Sequence, residues 1–112
     1  MQEEIDRLLS EIQRSRLGER RTEPRHPFVR PVQIYVPHGL SLSAFSKDMS
    51  AQGIGIICNV PMGVGSLATL EIHSTQGASV ILRSEVRWCD PYGKGWYLVG
   101  WKFIAIASRP MA

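Results

Sequence analysis

Residues 79–104 read SVILRSEVRWCDPYGKGWYLVGWKFI, and their pattern has a period of two on either side of a break. Ser79 to Cys89 reads as a long strand. Asp90-Pro91-Tyr92-Gly93-Lys94-Gly95 is a turn, and Trp96 to Ile104 is the strand that returns. Working back from this hairpin, the same period recurs. Leu67 to His73 is a strand ahead of the Thr75-Gln76-Gly77 turn, and GIGIICN, Gly53 to Asn59, is another, separated from it by the Pro61, Gly63 and Gly65 loop. Leu40 to Lys47 and Val32 to Val36 are two more, joined at His38-Gly39. Six short antiparallel strands with turn signals roughly every eight to twelve residues predict an all-β fold, a six-stranded antiparallel β-barrel. Strand placement predicts that at least two of Trp88, Trp96 and Trp101 pack in the core or at a barrel end. Met49 and Met62 read as gap-fillers.

Ahead of the barrel the period changes. Ile5, Leu8, Leu9 and Ile12 fall at i, i+3, i+4 and i+7, one face of an amphipathic α-helix from Glu3 to Leu17. Glu3, Glu4 and Asp6 near its start and Arg14 and Arg16 near its end suit the helix dipole, and Gly18 supplies a C-terminal cap. So narrow a stripe is marginal alone in water, so the helix must dock on its own barrel, on a second copy or on another protein. The Ile5/Leu8/Ile12 face is therefore the surface expected to meet a protein partner or to self-associate. Pro24, Pro27 and Pro31 then punctuate an extended connector. The chain divides into a helix at 1–18, an arginine-rich arm at 19–31, a barrel at 32–106 and a tail at 107–112.

Composition narrows the function. A chain of 112 residues fits one domain, and 44% apolar with 21% charged residues excludes global disorder. The net charge of +3 is too small to demand a nucleic-acid partner, but its distribution is uneven: residues 14–30 hold six arginines against two glutamates. Such a cluster suits a compact anionic ligand, because guanidinium forks match phosphate oxygens and guanine edges; the alternative is a solvated basic linker. Cys58 and Cys89 lack metal-site spacing, and reduced thiols buried in strands suit the cytoplasm. His26, His38 and His73 are too scattered to ligate a metal. No apolar run approaches the roughly 18 residues of a membrane span, and MQEEIDRLL does not read as a signal peptide. Nothing forms a nucleophile elbow, an oriented triad or a carboxylate pair, so no enzymatic activity and no cofactor are expected.

Two clusters carry the chemistry. Arg20-Arg21-Thr22-Glu23-Pro24-Arg25 holds RxxxR at Arg21 and Arg25, and Asp48-Met49-Ser50-Ala51-Gln52-Gly53 is DxSxxG where the second strand hands over to the third. RxxxR alone carries little, since Arg16 and Arg20 satisfy it too, and DxSxxG alone describes many turns. In this order, ahead of a six-strand pattern, the pair resembles the signature of PilZ domains, the cyclic di-GMP receptors of bacteria. Val86-Arg87-Trp88 and Leu98-Val99-Gly100-Trp101-Lys102-Phe103 resemble that family's closing hairpin, so the likeness covers roughly residues 19 to 104. His26-Pro27 departs from it, standing where a more apolar strand start is usual.

The resemblance implies a binding module whose ligand is cyclic di-GMP. Arginine suits the phosphates and the guanine O6 and N7, by fork pairing and stacking, which nominates Arg21 and Arg25. A carboxylate accepts from guanine N1–H and N2–H₂, which nominates Asp48, and Ser50 is placed to bond a base edge or phosphate. Gly53 permits a left-handed or close-approach backbone beside the ligand. The resemblance further implies that Arg20, just before the motif, favours binding a stacked ligand pair. Against these stand plainer roles: Asp48 and Ser50 capping a strand junction, and Arg21 and Arg25 paired with Glu19 and Glu23. On this reading the arm folds over ligand on the barrel face and reorients the helix. The alternatives are a PilZ-fold interaction module for motility or pilus machinery that ignores the nucleotide, and a small-barrel nucleic-acid binder.

Overall fold

The computed structural model describes residues 1–11 and 25–108, the side chain of His38 excepted. The elements are α1 (Gln2–Leu9), β1 (His26–Pro27), β2 (Pro31–Tyr35), a 3₁₀ turn (Pro37–Gly39), β3 (Ser41–Met49), β4 (Gly53–Cys58), β5 (Leu67–Ile72), β6 (Val80–Pro91) and β7 (Tyr97–Ile106). All six expected strands are present, within a few residues of their expected ends. Their order around the sheet is β3-β2-β5-β6-β7-β4, and β4 pairs back onto β3, so the six strands close an antiparallel barrel. The two-residue β1 runs antiparallel beside the end of β3, pairing His26 with Met49 and Pro27 with Asp48. It continues the line of β2 and so forms a strap along β3 rather than a seventh stave.

The inward positions follow the period read from the sequence. Val32 and Ile34 from β2, Leu70 and Ile72 from β5, Val80, Leu82 and Val86 from β6, and Val99, Trp101 and Phe103 from β7 line one core with Ile54, Ile56 and Cys58 of β4. Two expectations about this core need correction. Of the three tryptophans only Trp101 is buried; Trp88 is 40% and Trp96 49% exposed. Trp96 lies in the turn that joins β6 to β7, and Trp88 follows a register shift between Val86 and Trp88.

The helix face is the second. Ile5 and Leu8 are fully buried in the barrel's own core, with Leu9 packed beside them. Burying each is worth about 1.5–3 kcal/mol, so this face is used within the chain. The surface nominated for a partner is thus taken where it is described, and Ile12 lies outside the described residues. Among the described residues the helix runs from Gln2 to Leu9. Ser10 Oγ donates to Arg7 O (2.6 Å), and Glu11 N bonds Leu8 O (3.0 Å), the i→i−3 pattern that tightens a last turn. Gly18 and the rest of the expected helix lie outside the described residues.

The helix is also fastened by charge. Arg7 donates to Ser74 Oγ (3.3 Å) and Ala78 O (3.1 Å) on the β5–β6 turn. The Glu11 side chain, 1% exposed, accepts from Arg30 (3.1 Å), Ser74 Oγ (2.6 Å), Thr75 N (3.3 Å) and Thr75 Oγ1 (3.1 Å). Burial pushes this carboxyl up, but the bonds from Ser74, Thr75 and Arg30 outweigh it, and its pKa is lowered from 4.5. A lowered folded-state pKa gives stability that is present above the unfolded value and lost as pH falls through the folded one. Stability should therefore fall on acidification below pH 4.5, and Glu11→Gln should flatten that fall. Thermal midpoints from pH 7 to pH 3 check this, and parallel profiles for the two proteins would contradict it.

Candidate ligand-binding site

Strict alternation along β3 would carry Asp48 into the core, because Ala44 and Ser46 already point inward. A bulge between Ser46 and Asp48 resets the count, so that Met49 is buried and the Asp48 carboxylate faces outward. Ser46 sits at that bulge: its hydroxyl donates to Phe28 O and accepts from Arg30 N (2.9 Å), which ties the strap to β3. The same device acts on β6. Val80, Leu82, Ser84 and Val86 point inward, and the shift between Val86 and Trp88 brings Trp88 out over the sheet.

These two bulges place Asp48 and Trp88 in one transverse row. Asp48 pairs with Gly55, Gly55 with Gly100, and Gly100 with Trp88, so the row crosses β3, β4, β7 and β6. The middle of the row is glycine because both ends lean over it. A Cβ on Gly55 would stand 2.7 Å from Asp48 Oδ1, and one on Gly100 would stand 2.2 Å from the Trp88 indole.

Arg25 reaches this row from the strap. Its Nε and Nη2 both donate to Asp48 Oδ1 (3.2 and 2.7 Å), and Nη1 donates to Ser50 Oγ (3.4 Å). Lys47 Nζ lies 3.6 Å from the other carboxylate oxygen. Ser50 closes the β3–β4 turn: its N donates to Gly53 O (2.9 Å), and its Oγ accepts from Gln52 N (3.2 Å) and Gly53 N (3.3 Å). The junction-capping role weighed for Ser50 is therefore real. It does not exhaust the hydroxyl, because each of these bonds to Oγ is one it accepts, leaving O–H to donate.

Arg25, Ser50, Gln52, Gly53, Arg87, Trp88, Gly100, Trp101 and Lys102 line an open groove of about 240 Å³. Arg87 and Lys102 form no ion pair among the described residues. The groove thus offers a half-exposed guanidinium, two further cations and an indole face beside one carboxylate. A larger hollow of about 640 Å³ opens at the β2–β3 hairpin, with Arg83 its one charged lining residue among the described residues. None of the nominated residues that are described, Arg25, Asp48, Ser50 and Gly53, lines it, so size does not make it the site.

Four nominated residues, Arg25, Asp48, Ser50 and Gly53, meet in one place; Arg20 and Arg21 lie outside the described residues. Gly53 does not adopt a left-handed conformation. It is required by close approach, since a Cβ there would stand 2.1 Å from Trp101 O on β7. Sequence reading missed Arg87, Trp88, Gly100 and Lys102 as site residues and Gly55 beside them. The one signal for the glycines was their isolation within strands, which marks close approach. Cys58 and Cys89 are free thiols away from this groove, and burial pushes the Cys58 thiol up. Among the described residues, no three of His, Cys, Asp and Glu come together to hold a metal, and no helix is long and apolar enough to cross a membrane.

No curated protein matches the chain. Among solved structures it is similar to the Bacillus subtilis inhibitor of motility (MotI/DgrA), with a TM-score of 0.63 at 20% identity over 81% of this chain. The chain spans 46% of that protein, and at such identity the likeness is one of fold. The model of the PilZ domain matches residues 19–111, which takes in the strap, the whole barrel and both motifs. The chain belongs to the PilZ domain family.

Proposed function

We propose that this chain is a cyclic di-GMP receptor whose site is the groove around Arg25 and Asp48. The observation that carries the reading is the meeting of two residues 23 positions apart, Arg25 and Asp48, in an ion pair on a groove walled by an indole and by two cations without an ion pair among the described residues. Cyclic di-GMP presents two phosphates and two guanines, and each wall has a counterpart on it. Arg87 and Lys102 meet a phosphate. The Trp88 face and the exposed guanidinium of Arg25 stack on a base. Arg25 spends three of its five N–H groups on Asp48 and Ser50, which leaves two for the guanine O6 and N7 edge or for phosphate. Asp48 accepts from guanine N1–H and N2–H₂, and Ser50 donates its remaining proton.

A groove of about 240 Å³ is smaller than the roughly 300–1,000 Å³ of typical small-molecule sites, so further walls are needed. Arg20 and Arg21, a few residues before Arg25, are the nearest source of them. Arg21 completes the pair with Arg25, and Arg20 favours a second, stacked ligand. A few charge-assisted bonds of roughly 1.5–3 kcal/mol each, less the entropy lost by the ligand and the side chains that hold it, point to micromolar affinity. The change in the arm is the signal passed to a partner, and no catalytic step is involved. The second reading, an interaction module that ignores the nucleotide, draws on the fold shared with an inhibitor of motility and on Val29 and Phe45, apolar side chains exposed near the strap.

The test is nuclear magnetic resonance with ¹⁵N-labelled protein. Adding cyclic di-GMP should shift the Trp88 indole N–H and the Arg25, Gln52, Gly53 and Lys102 signals together, and leave Gly39 and Leu40 unmoved. Shifts confined to the hollow at the β2–β3 hairpin, or none at all, would defeat the assignment.

A further inference from the structure

The N-terminal helix and the groove are connected by a path of named bonds. Glu11, just past the helix, carries the counter-charge for Arg30, whose side chain is 18% exposed. Arg30 also stacks over the Phe28 ring, 4.7 Å from its centroid, and donates to Val29 O (3.1 Å), while its buried Nε has no hydrogen-bond partner among the described residues. The Arg30 backbone grips β3 on both sides, accepting from Ser46 N (3.0 Å) and donating to Ser46 Oγ (2.9 Å). Phe28 N bonds Lys47 O (3.0 Å), β1 pairs with Met49 and Asp48, and the strap then ends at Arg25 on the Asp48 carboxylate. Ser46 flanks the bulge that turns Asp48 outward, so the strap is anchored beside the turn in β3 that sets the carboxylate's position.

We propose that Glu11 is a positioning residue for this site, holding Arg25 on Asp48 through Arg30 and the strap. Glu11 lies outside the segment that matches the family, residues 19–111, so this role belongs to this chain's helix rather than to the domain in general. Without Glu11 the Arg30 guanidinium loses its one ion-pair partner among the described residues while remaining largely buried. A charge left so is driven to find water, and it moves with the backbone that carries it. The strap shifts against Ser46, and Arg25 comes away from Asp48. The helix that plugs the barrel and the ligand groove are thereby coupled, and by linkage ligand on Arg25 steadies the seated helix in turn.

The coupling to Arg25 stands without any nucleotide; its effect on affinity rests on the proposed receptor function. Full-length Glu11→Gln, Arg30→Gln and the double variant are compared with Cys58→Ala, a core change at a distance from the strap. The first readout is the Arg25 Nε–H resonance in ligand-free protein, which reports its bond to Asp48. It should move toward the position of a free arginine in both single variants and stay in place in Cys58→Ala. The second is cyclic di-GMP affinity, which should fall about tenfold in each single variant and no further in the double, as members of one path do. An unmoved Arg25 resonance in Glu11→Gln, or an equal shift in Cys58→Ala, would overturn the proposal, as would additive losses in the double variant. If wild type bound no cyclic di-GMP, the receptor reading would fail and the Arg25 resonance would still decide this one.

Discussion

Gly53→Ala is expected to lower stability by about 3 kcal/mol and the thermal midpoint by about 10 °C, although it adds a single methyl group. The added carbon would stand 2.1 Å from the Trp101 carbonyl oxygen and 3.2 Å from its carbon, and both are backbone atoms that no rotamer change can move. β4 and β7 must therefore part at their Gly53–Lys102 and Ile54–Trp101 pairs, at a seam that helps close the barrel. Gly39→Ala is the contrast: its φ is +85°, but nothing lies within 4 Å, so the cost is the conformational strain of about 1–2 kcal/mol alone. Thermal unfolding followed by circular dichroism checks both. A midpoint for Gly53→Ala within about 2 °C of wild type would show that β4 and β7 do not approach so closely. The last residue of DxSxxG is thus first a requirement of the barrel and only then part of the groove wall.

Arg25→Ala should weaken cyclic di-GMP binding by about a hundredfold to ten-thousandfold, since it removes two charge-assisted contacts of roughly 1.5–3 kcal/mol each from the ligand. It also leaves Asp48 with Lys47, 3.6 Å away, as its cationic neighbour. Asp48→Ala should do comparable harm by another route: it removes the guanine acceptor and frees the guanidinium that the carboxylate holds in place at 2.7 Å. Neither change should unfold the protein. The pair is exposed enough to water that its own contribution to stability is at most about 1 kcal/mol. Loss of affinity with an unchanged thermal midpoint is the expected signature, and a large fall in midpoint would mean that the pair serves the fold.

The period-two pattern located all six strands, because a closed barrel buries alternate residues wherever its ladder is regular. It went wrong where the ladder is not. Counted strictly, Trp88 falls on the buried face of β6 with Val86, and Asp48 on the buried face of β3 with Ser46. Two bulges turn both outward, and both residues line up across the site for that reason. Nothing local in the sequence announces either bulge: each depends on what the neighbouring strand and strap offer, here the Phe28 and Arg30 backbone groups that Ser46 holds. Asp48 was nominated through its motif, which compensated for the missing geometry. Trp88 was grouped with Trp96 and Trp101, at least two of which were expected to pack in the core or at a barrel end, and nothing in the sequence singled it out for the site. The helix presents the opposite case. Its apolar face was legible at Ile5 and Leu8, but the periodicity alone left its own barrel, a second copy or another protein open as occupant until the face was seen buried in the barrel's own core. Glu11 gave no signal at all, because its partners Arg30, Ser74 and Thr75 are distant in sequence.

Isothermal titration of the full chain with cyclic di-GMP tests the central claim most directly. The account predicts saturable binding at micromolar affinity, with the heat abolished by Arg25→Ala and by Asp48→Ala while both variants remain folded. Absence of any binding heat with folded wild-type protein, or binding that both variants retain undiminished, would contradict it.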